Sequence, residues 1–87
     1  MSVFEELIDA KLLKILKLLL KHKDQQFHLH KIAQETNIPV ATVFRTINKL
    51  VKLDLVEQTV IGKFKLYTIA HNKKTKELYL NLRIKNG

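Results

Sequence analysis

The chain has 87 residues, enough for one small domain around a single core. Its 46% hydrophobic content favours folding, and the absence of cysteine excludes a disulfide framework and any thiolate metal site. Sixteen Lys and Arg against 8 acidic residues give a net charge of +8, which favours a polyanionic partner, nucleic acid before an anionic membrane surface, over a merely solvated Lys-rich exterior.

No stretch reaches the roughly 18 consecutive apolar residues of a membrane span. Glu5 and Glu6, with no small-residue cleavage site after them, argue against a signal peptide. Ser2-Val3-Phe4-Glu5 has the spacing of a capping box, with Ser2 at the N-cap and Glu5 at N3. Helical periodicity then runs to about Lys21. Phe4, Ile8, Leu12, Ile15, Leu16 and Leu19 share one side, and Lys11, Lys14, Lys17 and Lys21 the other. Leu13 and Leu20 widen the apolar arc well beyond the ~100° stripe that one small core requires. The extra width is expected to meet a second copy of the chain; a basic helix lying on a membrane is the rival reading.

His22 to Gln26 reads as a polar connection and Phe27 to Leu29 as a short extended piece. His30 to Thr36 follows as a short helix, with Leu29, Ile32 and Ala33 inward. Asn37-Ile38-Pro39 ends it, because Asn tolerates a left-handed conformation and Pro forbids continuation. Helical spacing resumes near Val40 and runs to about Leu53, with Val43, Ile47 and Leu50 facing inward.

The period then changes. Val56 to Val60 and Phe64 to Ile69 are rich in β-branched and aromatic residues, and Ile61-Gly62-Lys63 joins them, which predicts a β-hairpin. The tail from Asn72 to Gly87 reads two ways. Leu78, Tyr79 and Leu82 suit a helix, whereas Leu78, Leu80, Leu82 and Ile84 alternate like a strand; the helix is favoured.

Long helix, short helix, tight turn, second helix and basic-tipped hairpin make a helix-turn-helix followed by a wing. In this order the stretch "HLHKIAQETNIPVATVFRTINKLVKLDLVEQTVIGKFKLYTI", residues 28–69, resembles the winged helix-turn-helix regulators of bacteria and archaea, the broad group containing the MarR and ArsR families. Ala33 matches the small residue where the two helices cross, Asn37 the turn residue, Ile38 the apolar residue after it, and Val43 the inward β-branched residue. Asp54 stands where Gly is more usual, so that turn is expected to differ in detail. "ATVFRTINKL" is also similar to the corresponding stretch of the ferric-uptake regulators, but their cysteines and dimerising domain are lacking, so metal sensing does not carry over.

The resemblance implies a mainly α fold with a small β-hairpin, a three-helix core plus wing and a C-terminal helix. The resemblance covers roughly half the chain, and the fold it implies is expected to fill residues 1–87 as a single domain, with the helix-turn-helix at about 29–53, the wing at about 55–69 and a C-terminal extension at 72–87. On the recognition helix, phase puts Ala41, Thr42, Arg45, Thr46, Asn48, Lys49 and Lys52 outward. Arg45 suits guanine O6 and N7, Thr42 a phosphate or thymine methyl, and Lys49 and Lys52 phosphates. Phe44 either packs on the preceding helix, which its burial tendency favours, or touches sugar and base. Lys63 and Lys65 are candidate wing contacts to phosphate, or else guards of an edge strand, and Lys31 a contact to the flanking backbone. Leu13, Leu20, Leu78, Tyr79 and Leu82 are the expected dimer contact.

His28 and His30 would share a face if extended, with His22 near and His71 elsewhere, but no carboxylate or Cys completes a metal-binding spacing. Catalysis has little to rest on, since Ser2 is the only Ser and two glycines make no phosphate loop. The expected function is a cytoplasmic, sequence-specific regulator that binds double-stranded DNA as a homodimer, not an enzyme. No cofactor, membrane partner or small-molecule effector is expected. An architectural DNA-binding protein and a winged helix that docks proteins are the alternatives.

Overall fold

Leu- and Lys-rich periodicity at the start of the chain produces a helix, α1, that the computed structural model describes over Ala10–Lys21. The structure describes residues 10–82, so the expected capping box at Ser2–Glu5, the inward positions Phe4 and Ile8, and Ile84 lie outside the described residues. After α1 come α2 (Leu29–Thr36), α3 (Val40–Lys52), β1 (Val56–Ile61), β2 (Phe64–Ile69) and α4 (Lys73–Asn81). The tail is therefore helical through Asn81. Its start is fixed by a capping box in which Asn72 Oδ1 accepts from the Thr75 amide at 3.0 Å and Thr75 Oγ1 accepts from the Asn72 amide at 3.1 Å.

The core gathers one face of each element. Ile15, Leu16, Leu19 and Leu20 of α1, Ile32 of α2, Val43, Ile47 and Leu50 of α3, and Val56, Tyr67 and Ile69 of the hairpin are all buried together. Leu20, expected at a dimer contact, is only 2% exposed and belongs to this core. The wide apolar arc has a cause within the chain, since α1 packs against both α2 and β2. Leu13 is left half-buried.

Two left-handed residues shape the helix-turn-helix. Asn37 has φ 59° and Asp54 φ 62°. After Asn37, the Ile38 amide bonds back to the Ala33 carbonyl at 3.2 Å. After Asp54, the Leu55 amide reaches the Leu50 carbonyl at 3.0 Å and the Asp54 amide reaches that of Val51 at 3.1 Å. Both are Schellman-type endings, which satisfy orphan carbonyls while turning the chain sharply. Asp54 thus adopts the conformation that Gly more often supplies. The corner is braced from α4, whose N-cap Asn72 donates through Nδ2 to the Asp54 carbonyl at 2.7 Å.

β1 and β2 pair antiparallel from Val56↔Ile69 to Ile61↔Phe64, leaving the two-residue turn Gly62-Lys63. Gly62 takes φ 59°, as the first position of a II′ turn requires. The extended piece expected over Phe27 to Leu29 shrinks to a single-residue bridge at Phe27, since Leu29 already begins α2. Phe27 and Tyr67 exchange both backbone hydrogen bonds, at 2.7 and 2.8 Å, and so tie the α1–α2 connection to the hairpin. Helix, helix-turn-helix and a hairpin folded back onto them make the winged helix-turn-helix architecture.

Candidate nucleic-acid interface

The two sides of α3 have opposite characters. Val43, Ile47 and Leu50 are completely buried, which holds the helix against α2 and the hairpin base. Ala41, Arg45, Lys49 and Lys52 recur at the spacing of a single helical stripe and all are exposed. No acidic side chain lies on α3. Arg45 and Lys49, four apart, repel one another by a few tenths of a kcal/mol, a cost that an anionic partner would remove. Arg45 Nη2 makes a long contact of 3.4 Å to Thr42 Oγ1, one turn back, which aligns the guanidinium along the stripe.

The outward set differs from the phase reading at one position. Thr46 is 8% exposed and lies on the buried side, because it stands three residues after Val43 and four before Leu50. Thr42 and Asn48 are half-buried at the edges of the stripe. Phe44, for which packing was the favoured expectation, is 45% exposed and stands beside the stripe.

Lys31 forms an ion pair with Glu35 on its own helix at 3.2 Å, both side chains being about half exposed, so part of its charge is already matched. Lys63 and Lys65 are exposed, one in the hairpin turn and one just beyond it. His28 is the N-cap residue of α2 without a side-chain capping bond, and its ring meets that of Phe64 edge-on at 5.8 Å. Since α2 begins at Leu29, His28 and His30 do not share an extended face. His71 lies 3.8 Å from Asp24, and among the described residues no three potential metal ligands gather.

In α4 and just after it, Leu78, Tyr79 and Leu82 are partly buried against the core. Lys23 Nζ sits 4.7 Å from the centre of the Tyr79 ring. Leu80, absent from the sequence-derived dimer set, is 64% exposed and lines an open groove of about 440 Å³ between the end of α1, the end of β2 and α4. Among the described residues Tyr67 is the one titrating group whose burial shifts it clearly, its phenol being pushed up from the ordinary tyrosine value by desolvation. It is part of the core rather than of the candidate surface.

The sequence matches the IclR helix-turn-helix domain over residues 10–60, and no curated protein matches the chain. Several solved structures share the fold. The AF1382 protein of Archaeoglobus fulgidus superposes with a TM-score of 0.74 at 20% identity, covering 94% of this chain and 90% of that one. The homodimeric winged helix-turn-helix DNA-binding domain of Mb0332 from Mycobacterium bovis, a possible ArsR-family transcriptional regulator, gives 0.70 at 24% identity over 94% and 72% of the two chains. The ferric uptake regulator of Francisella tularensis gives 0.68 at 20% identity over 84% and 60%. At these identities the likeness is one of fold, and the chain is a winged helix-turn-helix protein in line with the sequence resemblance.

Proposed function

The chain belongs to the IclR helix-turn-helix domain family, a family of DNA-binding transcription regulators, and from that premise we propose a specific mode of action. The protein reads duplex DNA sequence-specifically, with α3 in the major groove and the hairpin alongside as a wing. The observation that carries this reading is the stripe of Ala41, Arg45, Lys49 and Lys52, free of carboxylates and backed by three completely buried residues. A helix pinned so firmly on one side presents the other as a rigid, cationic surface.

Roles follow from residue chemistry. Arg45 offers two parallel donors to guanine O6 and N7. Ala41 and Thr42, in the first turn of α3, suit a thymine methyl or a phosphate, and Asn48 a base edge or phosphate at the border of the stripe. Lys49, Lys52, Lys63, Lys65 and the partly neutralised Lys31 meet phosphates, which position without specifying. Thr46 supports the helix from within. Two copies joined through Leu13, the exposed parts of Leu78, Tyr79 and Leu82, and Leu80 would set two α3 helices roughly 34 Å apart on successive major grooves. Such a protein acts where the chromosome lies, in the cytoplasm.

Selection of bound duplexes from a random pool, followed by salt-titrated binding, tests the reading. It expects an enriched, near-palindromic motif and an affinity that falls steeply with salt, by a slope of about −0.9 per neutralised phosphate. Binding without any enriched motif would leave an architectural protein. No duplex binding at low salt, with retention by a protein partner instead, would leave a docking module.

A further inference from the structure

Among the described residues seven large hydrophobic side chains are exposed, and three of them, Val60, Ile61 and Phe64, crowd into one five-residue stretch at the hairpin tip. Isolated exposed hydrophobics need no explanation, but several gathered at one end of a hairpin call for one. The cluster is not the outer edge of the core. Along each strand the burial runs lengthwise, with Val56, Tyr67 and Ile69 buried at the base while Val60, Ile61 and Phe64 are 59, 56 and 62% exposed at the tip. Residues opposite each other in the ladder share a face. Val60 therefore lies on the inner face with Tyr67, and Ile61 and Phe64 together on the outer one. The tip is apolar on both faces.

Within the hairpin, the charged residues nearest this apolar end are both cationic. Lys63 occupies the turn and Lys65 is directly opposite Val60; both are exposed, and neither is ion-paired among the described residues. Glu57, the sole acid of the hairpin, lies at its far end opposite Thr68. An apolar point flanked by two cations matches a slot that lies between two rows of phosphates and whose stacked base steps can admit an apolar side chain, as the minor groove of DNA does. The His28 ring, edge-on to Phe64 at 5.8 Å, holds the Phe64 side chain in place against the start of α2.

We infer that the wing tip is an apolar wedge for the minor groove, an inference that rests on the duplex-binding reading above. Phe64 and Ile61 enter beside a base step while Lys63 and Lys65 hold the flanking phosphates. Two paired strands stand about 4.8 Å apart before their side chains are counted, whereas the undeformed groove is only about 6 Å wide. Seating the tip therefore opens the groove and bends the duplex towards the major groove. Pyrimidine–purine steps deform most easily, so the wing adds a preference for TA or CA steps outside the sequence touched by α3.

The test uses the full chain and a duplex selected with it from a random pool, end-labelled for energy transfer and carrying 2-aminopurine beside a flanking TA step. The wild type is expected to shorten the end-to-end distance and to brighten the 2-aminopurine as the step unstacks. Combining Phe64→Ala with Ile61→Thr removes both signals and weakens binding about tenfold, the worth of one large apolar side chain withdrawn from water. Phe64→Leu keeps both signals. Pairing Lys63→Ala with Lys65→Ala lowers affinity and salt slope but leaves the bend of the complexes that form. Because the apolar pair is exposed, the first variant melts within a few degrees of the wild type; were it to misfold, Phe64→Ala alone gives the same reading. Unchanged bend and affinity in a folded wedge variant overturn the inference, as does loss only of binding to anionic phospholipid vesicles, or only of self-association. Failure of the wild type to bind any duplex at low salt is seen first and sinks the underlying reading itself.

Discussion

The recognition helix and the hairpin divide their apolar residues in different directions. Along α3 the division is by face: Val43, Ile47 and Leu50 are wholly buried, and the opposite stripe carries Arg45, Lys49 and Lys52. In the hairpin the division is along the length, with Val56, Tyr67 and Ile69 buried at the base and Val60, Ile61 and Phe64 exposed at the tip. A helix lying on a core has every turn within reach of it, so a polar stripe is simply the side left over. A hairpin that projects past its core leaves its last residues without one. Apolar residues retained there are unexplained by the fold, whereas a polar stripe on a helix is unexplained only by its lack of acids. The two regions therefore make different kinds of claim about what covers them.

The largest effect expected comes from the buried side of α3. Ile47→Ala should destabilise the domain by about 2–5 kcal/mol, read as a lowered denaturant midpoint with nearly unchanged slope. On a fold this small, that loss should abolish DNA binding together with structure. Arg45→Ala on the exposed side should leave the midpoint almost where it was but weaken binding to the selected duplex by about 1–3 kcal/mol and relax discrimination at one base position. If Arg45→Ala instead weakened all sequences equally, Arg45 would be a phosphate contact and the face-by-face division would carry no sequence information. Removal of both wing lysines, Lys63→Ala with Lys65→Ala, is a smaller change. It should lower the salt slope by roughly 2, one for each lost phosphate contact, with the sequence preference of α3 intact.

How far these regions can be read from sequence follows the same physics. Inward positions of α3 repeat at a helical period, so Val43, Ile47 and Leu50 were legible, and so was the turn at Asn37, since few residues accept a left-handed φ. Thr46 is harder to place, because a small hydroxyl side chain gives no sign of which side it takes; only its spacing from Val43 and Leu50 does. Leu20 reads from sequence as a partner contact because periodicity measures the width of an apolar arc but not how many neighbours within the chain cover it. Both α2 and β2 do so here. The exposed tip carried a signal that pattern alone does not weigh: Ile61 and Phe64 border a two-residue turn, a place too far from the strand bases for any core to reach. Leu80 was invisible for a plainer reason, as its exposure depends on how α4 is rotated against α1.

The smallest effect concerns the corner that joins the two regions. Asp54 takes φ 62° between α3 and β1, and its carbonyl accepts from Asn72 Nδ2 at 2.7 Å. Because that bond uses the backbone, it survives any change of side chain, which isolates the conformational term. Asp54→Ala places a side chain with no local hydrogen bonding in the left-handed region and should cost about 1 kcal/mol. Asp54→Gly relieves the crowding of Cβ but gives the unfolded chain more freedom, two terms of similar size and opposite sign, so its stability should stay within about 0.5 kcal/mol of the wild type. Urea midpoints of the three proteins settle the order. Equal midpoints for the Ala and Gly variants would mean that the corner is not held left-handed, and the aim of the hairpin relative to α3 would then need another cause. A lower midpoint for Ala alone would identify this backbone turn, braced from α4, as what sets the wing beside the recognition helix.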